Sequence, residues 1–309
     1  MIAVLQGLAR HGRLVLILGL VVGVTAPGLA RTLAPLIFPM IVCLLFLATL
    51  RVDPVAAFPD RRHLPRYLGL AMGLQIGMPV LAIALLWAIG GLESILGIGA
   101  VLVLAGAPLT GSPGLAILSG ADPSPALRQL VVGTAILPLT VLPVFWLMPV
   151  FGAAQVVALA ALKLLAVIAL AGGAAVILRR AVPWLRGADG QGAIDGVITL
   201  AMAVVVVGLM SAVGPAILSG DPGLWVALAV VFGLNFGAQI VVYALMRRTG
   251  QPSAAPALGI VAGNRNLALF LGALPPETGA ALLLFIGCYQ VPMYLTPMLV
   301  GPLARRVRA

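Results

Sequence analysis

Charge is what this chain has least of. Only 8% of its residues are Asp, Glu, Lys or Arg, and only 8 are acidic. A soluble domain carries about 25%. With so few charges a fold of this size leaves large apolar patches in contact with water, which drives association. Cysteine is equally scarce. The 2 cysteines, Cys43 and Cys288, both lie in apolar runs, so there is no disulfide framework and no CxxC metal or redox motif; both read as buried packing residues. The 2 histidines, His11 and His63, sit in basic segments without metal-ligand spacing. No Walker sequence is present, and no acid, histidine or cysteine cluster falls inside the apolar runs. These absences argue against an ATP-driven pump, a membrane enzyme and a resident metal or cofactor.

What fills the chain instead is hydrocarbon, at 62% of residues. A helix needs about 20 apolar residues to cross a bilayer. Ten candidate spans follow, over 14–30, 34–50, 65–90, 95–119, 123–147, 153–178, 194–217, 223–246, 253–274 and 278–303. They are too long, and too rich in Leu and Ala, for barrel strands. The first follows Arg10 and Arg13 and ends in small residues, as an export signal does; with nine further runs behind it, it reads as an anchor.

The net charge of +10 does not mark a nucleic-acid surface, because the basic residues recur in small clusters between apolar runs. With the N-terminus in the cytoplasm, alternate connections hold Arg10, Arg13, Arg51, Arg61, Arg62, Arg66, Arg128, Arg179, Arg180, Arg186, Arg247, Arg248, Arg305, Arg306 and Arg308. The opposite side holds Arg31, while Lys163 and Arg265 fall inside spans. That segregation is the positive-inside pattern and puts both termini in the cytoplasm of a bacterial inner-membrane protein. Five spans over 14–147 and five over 153–303 place the halves in opposite orientation, as an inverted repeat within one transporter unit, 1–309.

The fourth span of each half is interrupted. Span 4 contains Ala107-Pro108-Leu109-Thr110-Gly111-Ser112-Pro113-Gly114, whose two prolines cannot continue a helix. Span 9 contains Gly263-Asn264-Arg265-Asn266. Unwound backbone at that depth is tolerated only inside protein or beside an aqueous cavity, and paired interruptions point to a transporter's binding site. The two interrupted spans are expected to cross there. Arg265, Asn264, Asn266, Thr110 and Ser112 are therefore candidate substrate ligands. A guanidinium suits an organic anion; alternatively Arg265 braces the crossover by donating to carbonyls. Asn235 and Gln239, four apart on span 8, either line the cavity or hydrogen-bond a neighbouring helix. Lys163 either snorkels toward water or serves as a proton-linked group.

Four ordered segments resemble the bile acid:sodium symporter superfamily. They are Leu45 to Pro54 with Phe58, Pro108 to Pro143, Leu234-Asn235-Phe236-Gly237, and Gly259 to Leu269. The resemblance implies a panel and a core domain with solute between them, and alternating access. It also implies coupling-ion candidates at Gln75, which resembles the family's third-helix glutamine, and at the span-5 hydroxyl Thr134; Lys163 is a third candidate from its own mid-span position. The chain departs from the family where sodium would bind: Val261 stands where sodium-using members carry a glutamate, and Asn264-Arg265 stand where they have Met-Gln. A guanidinium about 4 Å from a cation repels it by roughly 4 kcal/mol at an effective dielectric near 20. The expected function is thus a secondary carrier for a small organic anion with the sodium sites lost. A sodium- or proton-coupled symporter for another solute, or a channel-like pore, is the alternative. Monomer and homodimer both remain open.

This topology has a direct check. A green fluorescent protein fused after Ala309 is expected to fluoresce, and alkaline phosphatase fused after Met148 to be active; the opposite pair of results would reverse the orientation.

Overall fold

Lipid offers no hydrogen-bond partners, so a chain this apolar must satisfy its backbone internally, which helices do. The computed structural model describes residues 2–52 and 57–308. Among them there is no strand, and β pairing is confined to one isolated bridge, Pro108 with Arg265. The helices are α1 (Ile2–Arg10), α2 (Gly12–Thr25), α3 (Pro27–Leu33), α4 (Ile37–Arg51), α5 (Leu64–Met72), α6 (Met78–Ala88), α7 (Ile95–Ala105), α8 (Ser112–Leu118), α9 (Ser124–Trp146), α10 (Ala154–Ala181), α11 (Ala188–Leu209), α12 (Val213–Ser219), α13 (Pro222–Arg248), α14 (Ala255–Gly263), α15 (Pro276–Ala281) and α16 (Leu283–Arg308). Asp53 and Pro54, part of the resemblance noted above, lie outside the described residues.

Among the described residues, six helical stretches are long and apolar enough to cross a membrane: Pro27–Arg51, Leu64–Ala88, Ser124–Trp146, Ala154–Ala181, Ala188–Leu209 and Pro222–Arg248. A seventh follows if α1 and α2, bent by 82° at their junction, count as one. The protein is therefore a multi-pass, all-helical membrane protein. Several expected boundaries move. The loop expected around Arg31 is helical; the chain turns at Ala26 instead, where Pro27 starts a new helix that runs through a short 3-10 turn at Ala34–Leu36 into α4. Proline suits a first turn, whose N–H groups have no helical partner in any case. The span expected over 194–217 ends at Leu209 and resumes as α12. Asp195 sits inside α11, and Cys43, expected to be buried, is exposed while Cys288 is buried.

The chain forms two compact units that interleave along the sequence, one from residues 1–56 and 165–224, the other from 57–164 and 225–309. In the first unit, α11 packs against α1 to α4. The approach is close because glycine meets backbone: a Cβ on Gly196 would stand 2.2 Å from the Leu5 carbonyl oxygen. Small residues at helix contacts serve this purpose in membranes, where packing rather than water drives association. A polar clamp closes one end. Arg51 donates from Nε to Asp195 Oδ1 at 2.6 Å and from Nη1 to Gln191 Oε1 at 3.1 Å, and Arg179 donates to the Leu50 carbonyl at 2.7 Å. The partly exposed acid within α11 thus has its cation beside it.

In the second unit, α5 and α6 form one stretch through a π-helical turn, Gly73–Gly77, that carries the buried Gln75. Such turns mark functional positions. Gln75 donates to the Gly133 carbonyl at 2.9 Å and accepts from Thr140 Oγ1 at 2.7 Å. Both partners lie on α9 near Pro138, where proline disturbs the helical ladder. At the far end of α9, Phe145 stacks on Phe151 at 3.9 Å and meets Phe270 edge-on at 5.5 Å.

Gly196→Ala is expected to push α1 off α11 and destabilise the protein by about 1–3 kcal/mol, the usual cost of overpacking. An unchanged thermal midpoint in detergent would contradict that packing.

Candidate functional site

The helix α7 begins at Ser94, whose hydroxyl accepts the Gly97 N–H at 3.0 Å, and it is buried from Gly97 to its end. It stops because Gly106 and Pro108 follow. The helix α14 is buried along its whole length and stops at Asn264, after which the chain continues as a 3-10 helix over Leu267–Gly272. The two extended pieces beyond these ends lie antiparallel. Leu109 N donates to the Asn264 carbonyl at 2.9 Å, and Asn266 N donates to the Ala107 carbonyl at 2.8 Å. Each interruption thus supplies the hydrogen bonds the other lacks.

Both α7 and α14 end at this pairing, so two helix C-termini converge on it. Each end exposes carbonyls and about half a unit of negative charge. The carbonyls are taken up one by one. Leu102 O accepts from Gly106 N, and Leu104 O accepts Arg265 Nη2 at 3.2 Å. Ile260 O accepts Asn264 Nδ2 at 2.7 Å and Asn264 N at 3.0 Å. Gly263 O accepts Asn235 Nδ2 at 2.5 Å and the Tyr289 hydroxyl, which in turn accepts the Arg265 N–H at 3.1 Å. Gln239 Nε2 donates to Asn235 Oδ1 at 2.5 Å and to Thr296 Oγ1 at 3.1 Å, and Thr296 also receives Asn264 Nδ2 at 3.3 Å. The close fit of α13 on α14 depends on Gly263, whose added Cβ would lie 2.2 Å from the Asn235 carbonyl oxygen.

The charge in this network is Arg265, only 2% exposed. The Arg51–Asp195 ion pair and the Asp60–His63 contact both lie away from this site. A lone buried cation would be costly. Here one guanidinium faces two helix C-termini, and the two half-charges and the whole charge offset each other. Its Nη2 is bonded to Leu104, while Nε and Nη1 have no protein partner.

Of the residues picked out from sequence, Asn264, Arg265, Asn266, Asn235 and Gln239 meet in this one unit, with Gln75 beside it through Gly133. A Cβ on Gly133 would stand 2.8 Å from Pro108 Cδ. For Asn235 and Gln239, the bonds to α14 and α16 are those of a helix-to-helix tie. Ser112 is buried with its hydroxyl unpartnered, Thr110 and Thr134 are half-buried, and Lys163 is exposed on α10, outside the network. Val261 packs in an apolar cluster with Leu115, Ala116, Ala126, Ala257 and Ile260. Sequence reasoning passed over Tyr289, Thr296 and Gln129. The signal for the first two is that they are among the few polar groups of the last span.

Compared with known proteins, the chain matches no family model and no curated protein.

Tyr289→Phe is expected to leave the Arg265 N–H without its acceptor and to take one donor from the Gly263 carbonyl. A buried group left unpaired costs about 1–3 kcal/mol, so a loss of that order or somewhat more is expected in detergent denaturation. A neutral substitution would show that the hydroxyl holds nothing.

Proposed function

We propose that the protein is a secondary carrier that moves a small organic anion across a bacterial inner membrane by alternating access, without sodium. The observation that carries this reading is the pairing of the two interruptions around Arg265, whose Nε and Nη1 are buried without a protein partner. A carboxylate or sulfonate supplies the acceptors those N–H groups lack. Chemistry concentrated at paired helix breaks, with no polar lining along a whole pore, favours a carrier over a channel.

The topology belonging to this reading has ten spans in two inverted halves with both termini cytoplasmic. It counts α1 with α2, α7 with α8, α14 with the 3-10 turn after it, and α15 with α16 as four spans beside the six continuous stretches. The ordered segments that resemble bile acid:sodium symporters support the same class, as do two separately compact units drawn from both halves of the chain. Loss of sodium coupling is supported by Val261, set in an apolar cluster, and by the guanidinium that already faces the carbonyl ends. Proton coupling through Lys163 has no support, since that lysine is exposed on α10 and outside the network.

A second reading rests on the Arg265 bond to Leu104: the arginine braces the crossover and touches no substrate. Reconstituted protein separates the two. A carrier saturates, shows counterflow, and works as well in potassium as in sodium. Arg265→Lys keeps the charge that offsets the helix ends but loses the planar fork. It is expected to remain folded and to bind organic anions about 10–100-fold more weakly, as loss of a charge-assisted hydrogen bond requires. Unimpaired transport by Arg265→Lys would leave only the brace, and a sodium-dependent uptake current would remove the sodium-free mechanism.

A further inference from the structure

Beside the pairing of the breaks lies a second set of polar atoms that nothing in the protein satisfies. Gln129, on α9, is 0% exposed, yet both Nε2 and Oε1 lack partners. Ser112, at the start of α8, is likewise 0% exposed with its Oγ unpartnered. Buried polar groups are nearly always paired, and three orphaned atoms in one place require a reason.

They are in one place because α8 and α9 run antiparallel. Pro108 stands against Gly133, and Ala116 shares an apolar cluster with Ala126. Between those two anchors the register puts Ser112 level with Gln129. Leu115 and Ala116 of α8, Ala126 of α9 and Val261 of α14 share one apolar cluster, and the orphaned atoms have no protein partner. Ser112 lies four residues beyond Pro108, the residue paired with Arg265, across a turn closed by its N–H on the Leu109 carbonyl at 2.9 Å.

We infer that Ser112 and Gln129 form a second subsite, which takes a neutral hydroxyl or carboxamide carried by the same solute several carbons from its acid group. The inference rests on the organic-anion reading of Arg265. The donor set selects the ligand. Gln129 offers an acceptor and a donor, and Ser112 offers both. A cation would be bound by the oxygens but opposed by the amide N–H groups. An anion would meet the amide oxygen and an apolar wall. A hydroxyl or a carboxamide donates and accepts at once, and so satisfies all three atoms.

The test uses purified protein and matched probes: ω-hydroxy carboxylates of four, six and eight carbons, each against the unsubstituted acid, in thermal-shift titrations. For the chain length that spans the two subsites, the hydroxy acid is expected to bind wild type about tenfold more tightly than its partner, the order of one well-made hydrogen bond. Gln129→Leu and Ser112→Ala are expected to bring that ratio to near one while still binding the plain acid. Without ligand, Gln129→Leu is expected to raise Tm by about 2–4 °C, because it removes two unpaired atoms from an apolar setting. A fall in Tm would overturn the inference, since it would mean the amide is satisfied within the protein. Equal affinity of wild type for every hydroxy and plain pair would overturn it while leaving the anion reading in place. No shift with any acid would overturn both. A sodium-specific rise in Tm that Gln129→Leu abolishes would assign the pair to a cation and equally overturn it.

Discussion

Two buried helices that stop with their carbonyl ends toward the same point can coexist only if something positive and hydrogen-bonding stands there. In this protein that group is Arg265. Its side chain donates to Leu104 at the end of α7, and its backbone is held by Tyr289, which also binds the last carbonyl of α14. The β bridge between Pro108 and Arg265 then fixes the two ends against each other. Remove the cation and two negative helix ends repel in a medium that screens little. Remove the ends and a buried guanidinium remains with nothing to offset its desolvation. Each makes the other tolerable, which explains how an arginine is buried here with no carboxylate beside it.

Much of this was legible in the sequence because proline and charge are conspicuous in an apolar chain. Pro108 and Pro113 announce one interruption, and Asn264-Arg265-Asn266 announces the other. The sequence could not say that the interruptions hydrogen-bond to each other, because backbone pairing leaves no mark on side-chain identity. It also hid the partners that complete the site. Tyr289 and Thr296 stand out in the last span only as two of its few polar groups, and it is their distance to Gly263 and Asn264 that gives them a role. Gln129, on the second turn of α9 between Arg128 and Leu130, is conspicuous only once its burial without a partner is known. Boundaries near the N-terminus went astray for a related reason. Hydropathy does not distinguish a turn at Ala26 from one at Arg31, whereas the preference of Pro27 for a helix's first turn does.

The two units solve their packing differently. In the first, glycine allows α11 to lie against backbone, and one ion pair with its amide neighbour closes the end. In the second, the contacts that matter are amide and hydroxyl groups reaching free carbonyls, from Gln75 on the π turn to Asn235 on α13. Where α7 and α14 stop in the second unit, such side chains take up backbone hydrogen bonds that lipid cannot supply.

A positive charge tethered to the chain differs in one respect from a dissolved ion in the same position: it cannot be picked up on one face and released on the other. It performs no work on the solute. If the protein carries an organic anion with no other coupled species, the direction of net flow belongs to the electrochemical gradient of that anion. A cell whose interior is negative expels a monovalent anion with about 2.3 kcal/mol for every 100 mV.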